Sequence, residues 1–508
     1  MRTQVLKLPL LIWLGLLVMM LVRFAVMFGT GPLHDEAYYW SWSQELDFGY
    51  YDQPFLTGWL LAPFVALLGN DAWVMRGVAT LLTFLASVFL ALTIGALTPS
   101  SSPAAQTLQT PRSSTQGAPA LAGFLLLAVT SPILWSVGLF YVHDTVMICC
   151  LSLGLWLGVE ALKRETGAAS RSWWLMAGLA FALAFSAKVS AALWIVVLGL
   201  SVAVHPRSRP HLRASAPWIG ASLPLAAFLL FLAWNAMHGW VTFRHVGGEH
   251  LVPDIGAPAS ERLMRVGITL LAALLFSGLT TVMLVGLLVI RRLRVSRESS
   301  GIFALAAFAL VPLLFFVGLS WMREVYLNWL IPSCLGLLVL SCCLWTGPIK
   351  RWHVLACVPS ALLSLALLLP IAFRQPSFMP SNARDMLGWE GSIEKLIEYR
   401  DEAYPGYEIV GNYYHLAAQV SFHQGTVRPS VGVDPRPHQF SLYRWPEGEE
   451  RAPLLVLTPS LEEGMQALGG VFCHFTPVLP WPVNHRERRI ALPYLFAIHQ
   501  PVEKPECG

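Results

Sequence analysis

Charged residues are scarce in this sequence, because Asp, Glu, Lys and Arg make up only 13% of its 508 residues. Soluble globular domains carry about 25% of these residues, and 55% of this chain is hydrophobic, so the composition excludes an ordinary soluble fold. The formal net charge is only +4, and the basic residues form short clusters between apolar segments. Such clusters are typical of membrane topology signals, and they argue against a nucleic-acid partner.

The eight cysteines lack the spacing of a metal site, because the chain contains no C-x-x-C pair. Cys473 and Cys507 fall in a more polar C-terminal region, where an oxidising compartment would allow a disulfide. The histidines show no helical metal-binding spacing either, so we predict no metal-binding residues. The other six cysteines lie in apolar segments, where we expect small buried hydrophobic residues: Cys149, Cys150, Cys334, Cys342, Cys343 and Cys357.

Long apolar runs dominate the rest of the chain. The run from Leu8 to Phe28 can cross a bilayer, which takes about 20 residues. It lacks a small-residue cleavage site at its end, so we expect a retained first span. In total the apolar pattern predicts eleven membrane helices, at about 8–29, 73–98, 119–139, 145–162, 173–187, 189–204, 216–236, 263–290, 302–320, 328–346 and 353–373.

The charges of the connecting loops predict the orientation of these helices. The outside loop 31–72 contains no Lys or Arg but six acidic residues. An odd number of spans then places the chain after about residue 373 outside, and the Ser-, Thr- and Pro-rich stretch 99–118 is expected to be a flexible cytoplasmic loop. With the N-terminus in the cytoplasm, the inside loops carry the basic clusters: Lys163, Arg164, Arg171, Arg207, Arg209, Arg213, Arg291, Arg292, Arg294, Arg297, Lys350 and Arg351.

The C-terminal region 374–508 differs from the rest, because its apolar runs are short and Pro and Gly separate them. Strand-like runs at 407–411 and 452–457 enclose a helix-like segment at 414–422, which predicts a small α/β domain. The sequence therefore predicts a mostly α protein with two domains. Residues 1–373 form a polytopic membrane helix bundle that includes the loop 31–72, and residues 374–508 form an extracytoplasmic α/β domain.

The first outside loop contains the most informative motif. Asp35 and Glu36 follow the first span, and helical spacing places Tyr38 and Tyr39 on the same face as Asp35. One interpretation is a helix N-terminus that acidic side chains stabilise by about 0.5–2 kcal/mol. The other is a functional site, which the long acidic and aromatic loop favours because stability does not require such a loop.

This loop resembles a known family. The pattern Asp35-Glu36-Ala37-Tyr38-Tyr39-Trp40, followed by Gly49-Tyr50-Tyr51-Asp52-Gln53-Pro54, resembles the bacterial branch of the GT-C membrane glycosyltransferases. That branch includes lipid A aminoarabinose transferases, galacturonosyltransferases of the lipopolysaccharide core and relatives of the protein O-mannosyltransferases. Supporting matches at 141–145, 186–191, 240–245, 323–329, 384–389 and 414–419 extend the resemblance over nearly the whole chain. It implies a GT-C fold and a sugar donor carried on polyprenyl phosphate.

The resemblance also implies catalytic residues. Asp35 is expected to be the general base or its orienting partner, with Glu36 beside it. Asp144, at the outer end of the fourth span, is a second carboxylate at the same depth. The remaining expected residues line a substrate cavity: Tyr38, Tyr39, Tyr51, Asp52, Gln53, His143, Arg323 and Glu324. Arg323 and Glu324 could alternatively pair with each other.

Cations at the outer helix ends are candidates for binding the departing phosphate. Lys188 lies between two apolar helices, where a lysine either extends to the interface or pairs with an anion such as the donor phosphate. Arg244 and His245 are the further candidates for the same phosphate.

The predicted function is transfer of a sugar from a polyprenyl-phosphate donor, expected to be undecaprenyl phosphate, by one inverting displacement. The acceptor is expected to be a lipid, lipopolysaccharide or another envelope glycan at the outer face of the bacterial inner membrane. A divalent cation held by carboxylates is left open, and so are the sugar and the oligomeric state. The alternatives are a flippase of a lipid-linked precursor, a transferase with a protein acceptor, and a non-catalytic envelope protein. A transporter would need ionisable groups in mid-membrane, whereas the charges here lie at helix ends.

Overall fold

The structure is a computed structural model that describes residues 7–98, 117–136, 138–250, 254, 256–278, 286, 299–344, 349–433, 436–445, 452–486, 488–499 and 501. Seven segments are long and apolar enough to cross a membrane within this described part: Ile12–Gly29, Ala72–Leu97, His143–Leu162, Ser215–Met237, Ser300–Ser320, Leu327–Leu344 and His353–Ala372. The predicted polytopic, mostly helical fold with a small C-terminal sheet region is therefore confirmed, while the count of eleven spans stays a prediction. Residues 99–116, Arg291, Arg292, Arg294, Arg297 and Cys507 lie outside the described residues.

Helices form most of the described chain. Up to residue 372 they are α1 (Lys7–Gly29), α2 (His34–Gln44), α3 (Leu56–Leu68), α4 (Ala72–Leu97), α5 (Gly117–Ala128), α6 (Pro132–Ser136), α7 (His143–Leu162), α8 (Ala168–Ala187), α9 (Ala191–Val204), α10 (Ser215–Met237), α11 (Val241–His245), α12 (Ala259–Ser277), α13 (Ser300–Ser320), α14 (Ile331–Leu344) and α15 (Arg351–Ala372). Single turns of tighter or wider helix lie at Arg209–Arg213, Val246–His250 and Leu327–Leu330.

The C-terminal region adds four helices and six strands. The helices are α16 (Ser381–Arg384), α17 (Trp389–Ala403), α18 (Tyr414–Gln424) and α19 (Leu461–Gly469), with a short helical turn at Gln439–Ser441. The strands are β1 (Glu408–Gly411), β2 (Leu454–Thr458), β3 (Thr476–Pro480), β4 (Val483–His485), β5 (Arg488–Ala491) and β6 (Tyr494–Ile498).

The chain divides into two compact units. The membrane unit comprises Met1–Val22, Ala79–Leu139 and His143–Leu368. The loop–sheet unit comprises Arg23–Val78, Phe140–Val142 and Leu369–Gly508. The loop–sheet unit thus combines the first outside loop with the C-terminal region. The predicted domain boundary at residues 373 and 374 stays a prediction.

Close helix packing in the membrane unit depends on glycine. Helix α8 packs against both α7 and α10. A Cβ atom added to Gly178 of α8 would lie 2.1 Å from the backbone oxygen of Gly220 in α10. A Cβ atom added to Gly220 would lie 2.5 Å from the backbone oxygen of Trp174. The two backbones can approach this closely only without side chains, as is common between membrane helices.

One predicted span differs in the structure. The apolar run 119–139 predicts a single helix, but the chain forms α5 and then the separate α6. Pro132 is the first residue of α6 and has no backbone N–H. A proline ring also clashes with the carbonyl group four residues before it, so it favours the first turn of a new helix over the interior of a continuing one.

The sheet of the loop–sheet unit has the order β1-β2-β6-β3, with β1 and β2 parallel and the other pairs antiparallel. Strand β2 is buried along its whole length, as expected for a central strand covered on both faces. One face packs around Leu455 and Leu457, and the opposite face around Leu454 and Val456. Strands β4 and β5 form a separate antiparallel hairpin. The central sheet is therefore packed on both faces.

The cysteines follow the predicted division between apolar and polar regions. The six in apolar segments are reduced thiols. Cys473, which lies in the loop–sheet unit, is disulfide-bonded. An oxidised cysteine is expected in an extracytoplasmic compartment.

Candidate functional site

Asp35 is the accessible carboxylate at the start of α2. Its side chain is 41% exposed, and its Oδ1 lies 3.5 Å from Nε2 of His34. The other ring nitrogen of His34, Nδ1, lies 3.0 Å from Oδ2 of Asp385. His34 therefore lies between two partly exposed carboxylates, one on its own helix and one 351 positions later in the sequence.

These two carboxylates determine the charge of His34. Burial alone lowers the pKa of His34, but the hydrogen bond to Asp385 and the negative charges of Asp35 and Asp385 outweigh that effect. Arg436 opposes them weakly, and the net result is a pKa above the ordinary value. A protonated His34 keeps its hydrogen bond to Asp385 and attracts the carboxylate of Asp35 electrostatically across 3.5 Å.

Glu36 is adjacent to Asp35 but lies in a different environment. Its side chain is fully buried and forms an ion pair with Arg76 of α4, at 2.7 Å from Nη2 to Oε2. Its carboxylate also accepts the backbone N–H groups of Leu33, at 3.0 Å, and Tyr141, at 3.1 Å. Glu36 thus occupies the third position of α2 and caps its start, as a capping glutamate does. Glu36 therefore fits the first of the two interpretations of the acidic pair, in which an acidic side chain stabilises the start of a helix.

The guanidinium of Arg76 also forms hydrogen bonds to several backbone oxygens besides its ion pair with Glu36. Its Nη1 donates to the backbone oxygens of Val26, at 2.9 Å, and Thr30, at 3.0 Å. Its Nη2 donates to the backbone oxygen of Gly31 at 2.7 Å. The buried pair therefore joins the end of α1, the start of α2 and the segment around Tyr141. It holds the backbone from which Asp35 projects.

The predicted aromatic residues hold the loop against the C-terminal region of the same unit. The hydroxyl of Tyr38 donates to Asp52 and accepts the backbone N–H of Gln439 at 2.9 Å. The backbone N–H of Tyr51 donates to Oε1 of Gln439 at 2.8 Å. Burial and then the charge of Asp52 raise the pKa of Tyr38 well above its ordinary value, so Tyr38 stays protonated as a donor.

Tyr39 and Gln53 complete the loop. Tyr39 is buried, and its ring packs edge-on against Trp42 with centroids 4.8 Å apart. The backbone oxygen of Gln53 accepts the N–H of Tyr50 at 2.9 Å, which closes a tight turn. The structure thus places Asp35, Tyr38, Tyr39, Tyr51, Asp52 and Gln53 in one loop of the loop–sheet unit.

A second polar cluster surrounds Asp144 in the membrane unit. Lys188 lies at the break between α8 and α9, and its Nζ is 2.7 Å from Oδ1 of Asp144. Asn328 donates to Oδ2 of the same carboxylate at 3.0 Å, and Nε2 of His143 lies 3.3 Å from that oxygen. The side chains of Lys188 and Asp144 are 5% and 8% exposed. The buried lysine thus has an internal anion as partner, and its contact with a donor phosphate stays a prediction.

The other predicted cations differ in how available they are. Arg244 is exposed at the end of α11, whereas His245 is buried. Arg323 donates from Nε to the backbone oxygen of Glu324 at 3.2 Å, and not to its carboxylate. The Nη1 of Arg323 is buried and has no hydrogen-bond partner among the described residues. Arg265, in contrast, is paired with two carboxylates.

Three partners of the site were not predicted from the sequence. His34 adjoins the acidic motif, and Asp385 belongs to the matching segment 384–389, so both lay within recognisable patterns. Arg76 is a charged residue within an otherwise apolar span, and such a residue usually needs a buried partner. That rule predicts the need for an anion but does not identify Glu36.

The carboxylates offer few open positions to a metal ion. No group of three or more His, Cys, Asp or Glu in the described ranges is arranged to hold one. Both oxygens of Glu36 are occupied by Arg76 and backbone N–H groups, and both oxygens of Asp144 by Lys188 and Asn328. These residues therefore do not fit a multidentate metal site in their present arrangement.

Part of the chain is similar in sequence to known proteins. Residues 108–234 match a family model described as dolichyl-phosphate-mannose-protein mannosyltransferase. A lipid A galacturonosyltransferase, RgtD, from Rhizobium johnstonii is 27% identical over 217 residues, which cover 42% of this chain and 40% of that protein. The chain thus matches about two fifths of the length of this curated relative.

The structural similarity extends further along the chain. ArnT from Cupriavidus metallidurans bound to undecaprenyl phosphate matches with a TM-score of 0.59 and 16% identity, covering 95% of this chain and 97% of ArnT. ArnT in the apo state matches equally well, at 14% identity. The resemblance predicted from the sequence is therefore confirmed, and the chain shares the fold of ArnT over almost its whole length.

Proposed function

We propose that this protein is a glycosyltransferase that moves one sugar from a polyprenyl-phosphate donor to a lipid or glycan of the cell envelope. The observation that carries the proposal is the partly exposed Asp35, which lies 3.5 Å from the His34 ring in a loop of aromatic residues, while Asp385 holds that ring from its other side. The fold is shared over almost the whole chain with a protein solved with undecaprenyl phosphate bound. A relative that modifies lipid A supports a lipid acceptor.

In the proposed reaction, Asp35 accepts the proton of the acceptor hydroxyl while the acceptor oxygen forms a bond to the anomeric carbon. The bond from that carbon to the phosphate oxygen breaks, and the polyprenyl phosphate leaves with the electron pair. This single displacement inverts the anomeric configuration. Asp35 suits the role better than Glu36, whose oxygens already accept from Arg76 and two backbone N–H groups.

The departing phosphate needs a cation that is not already neutralised. Lys188 is paired with Asp144 at 2.7 Å, so its charge is largely balanced within the protein. Arg323 has a buried nitrogen without a partner among the described residues, and Arg244 is exposed. We therefore assign phosphate binding to Arg323 and Arg244 before Lys188 and His245.

We place the protein in the bacterial inner membrane, with its C-terminal region outside the cytoplasm. The charge asymmetry of the loops supports this orientation, and so does the oxidised state of Cys473. The acceptor hydroxyl and the donor sugar would then meet at the outer face.

The test is a donor panel. Purified protein in detergent is incubated with undecaprenyl phosphates that carry galacturonic acid, aminoarabinose, mannose or glucose, together with lipid A, and the products are identified by mass spectrometry. We expect one donor to be consumed and lipid A to gain the mass of one sugar. Consumption of none of the donors, with or without added divalent cation, would contradict the proposal.

A protein acceptor is the second candidate, because the family model that matches residues 108–234 is described as a protein mannosyltransferase. The same panel with an envelope protein extract in place of lipid A separates the two. Sugar on protein and none on lipid would favour this candidate.

A further inference from the structure

A polar cavity of about 350 Å³ lies within the loop–sheet unit, and the proposed reaction does not use it. The segments 29–32, 385–392 and 484–486 form most of its wall. Three cationic side chains from separate segments line it: Arg374, Lys395 and Arg486. No ion pair joins any of these three to a carboxylate within the described part of the chain.

The acidic residues of the wall do not balance these cations. Asp385 lines the cavity but already accepts from His34, and Glu390 is exposed at the start of α17. The positive potential in the cavity also acts on His485. Burial and then the charges of Arg486 and Arg374 lower the pKa of this histidine. Like charges gathered around one cavity repel each other, so an anion that enters it is attracted.

The backbone is arranged to bring the cations together. A Cβ atom on Gly29 would lie 2.9 Å from Nη2 of Arg374, so the missing side chain leaves room for the guanidinium. Gly388, with a φ of +82°, would place a Cβ atom 2.4 Å from the backbone oxygen of Asn484. This close approach packs the β4–β5 hairpin, which carries Arg486, onto the start of α17. The first N–H groups of that helix add donors and a favourable dipole.

Two of the three cations sit on strained backbone. Arg374 has a φ of 52° and Arg486 a φ of 56°, and Trp240 is the one other non-glycine residue with positive φ in the described chain. The left-handed conformation brings the Cβ atom of a residue close to the following carbonyl oxygen, and glycine would avoid that strain. Strain of this kind persists where function requires it, as in ligand clamps. Arginine at both positions therefore indicates that the two positive charges have a functional role.

The cavity also offers an acceptor. Gln419 lines it and is 1% exposed, and its Nε2 donates to the backbone oxygens of Pro32 and Asp385. Its Oε1 is buried without a hydrogen-bond partner among the described residues. A hydroxyl group beside an anionic group supplies the donor that this oxygen lacks, and phosphorylated sugars combine the two groups.

We propose that this cavity binds the phosphosugar headgroup of the acceptor glycolipid. The identity of the ligand as the acceptor rests on the proposed function. Asp385 connects the cavity to the site, because it lines the cavity and also holds His34, which lies 3.5 Å from Asp35. Binding the phosphate here would place the acceptor beside the proposed base.

The test measures binding without donor, so that it does not depend on turnover. The probes are lipid A with both phosphates, the same lipid with its phosphates removed, and inorganic phosphate, each titrated into purified full-length protein in detergent. We expect wild type to bind the phosphorylated lipid at least about ten-fold more tightly than the dephosphorylated one. Arg374→Gln combined with Arg486→Gln should remove this difference, whereas Arg489→Gln, on the same hairpin but outside the cavity, should keep it.

Glycine variants separate binding from folding. Arg374→Gly and Arg486→Gly should melt no lower than wild type, because glycine relieves the strained backbone, and they should still lose the preference for the phosphorylated lipid. A preference that survives in the double variant would overturn the proposal, and so would equal binding of both lipids by wild type without competition by inorganic phosphate. Competition by inorganic phosphate without any preference between the lipids would overturn the assignment to the acceptor. A protein that shows the preference but consumes no donor would instead contradict the proposed function.

Discussion

Neutralising the adjacent carboxylates Asp35 and Glu36 should have different effects. Loss of the Glu36 charge should lower stability, whereas loss of the Asp35 charge should leave stability nearly unchanged. Glu36 and Arg76 are 0% and 1% exposed and 2.7 Å apart, so Glu36→Gln leaves a buried guanidinium without its anion. Breaking a buried pair in this way costs about 3–5 kcal/mol, because the remaining charge keeps its desolvation penalty. Asp35 is 41% exposed, and Asp35→Asn should change the unfolding free energy by less than about 0.5 kcal/mol.

The assay compares thermal unfolding and sugar transfer for both variants in the same detergent. Glu45→Gln is the matched control, because Glu45 is an exposed carboxylate of the same loop. Glu36→Gln should melt well below wild type, and the replacement of both partners, Glu36→Leu with Arg76→Met, should recover part of the loss. A Glu36→Gln variant that melts like wild type and yet transfers no sugar would refute the structural role of Glu36.

Three further predictions concern the surrounding residues. Lys188→Met should destabilise the protein by about 3–5 kcal/mol, because it leaves the carboxylate of Asp144 buried without its cation; an unchanged melting temperature would contradict the pairing. Arg323→Gln should raise KM for the donor by about ten-fold with unchanged melting, as initial rates at varied donor would measure. His34→Asn should be most destabilising below about pH 6.5, because partners that raise the folded-state pKa of His34 stabilise the fold there, and that stabilisation is lost as the pH rises through the raised pKa. Melting curves of wild type and His34→Asn over a pH series measure this pH dependence. A larger loss of stability at high pH than at low pH would contradict the prediction.

The membrane fold was predictable because burial in lipid leaves a direct record in the sequence. The sequence predicts the first span at 8–29, and α1 extends from Lys7 to Gly29. The two agree because a helix that spans the bilayer must be apolar along the length that lies in lipid. The break before Pro132 was not predicted, because hydropathy measures only how apolar a stretch of side chains is. The proline ends the preceding helix through its effect on the backbone, which hydropathy does not record. Contacts between the first loop and the C-terminal region, such as that of Gln439 with Tyr38, could not be predicted, since they join residues that are 401 positions apart.

The site was predictable as a motif but not as an arrangement. Asp35 and Glu36 look alike in the sequence, yet successive helical side chains diverge and only one of the two faces Arg76. The sequence predicts that Lys188 extends to the interface or pairs with an anion, and the structure supplies Asp144 as an anion partner. Forty-four positions separate these two residues, and no local pattern connects them.

The most direct test of the central proposal is the transfer rate of Asp35→Asn with the donor that wild type consumes. The variant should melt like wild type and bind the donor equally well, and its transfer rate should fall by at least about 100-fold, because the acceptor hydroxyl loses its base. Glu45→Gln should transfer at the wild-type rate. A folded Asp35→Asn protein that transfers sugar as fast as wild type would contradict the account.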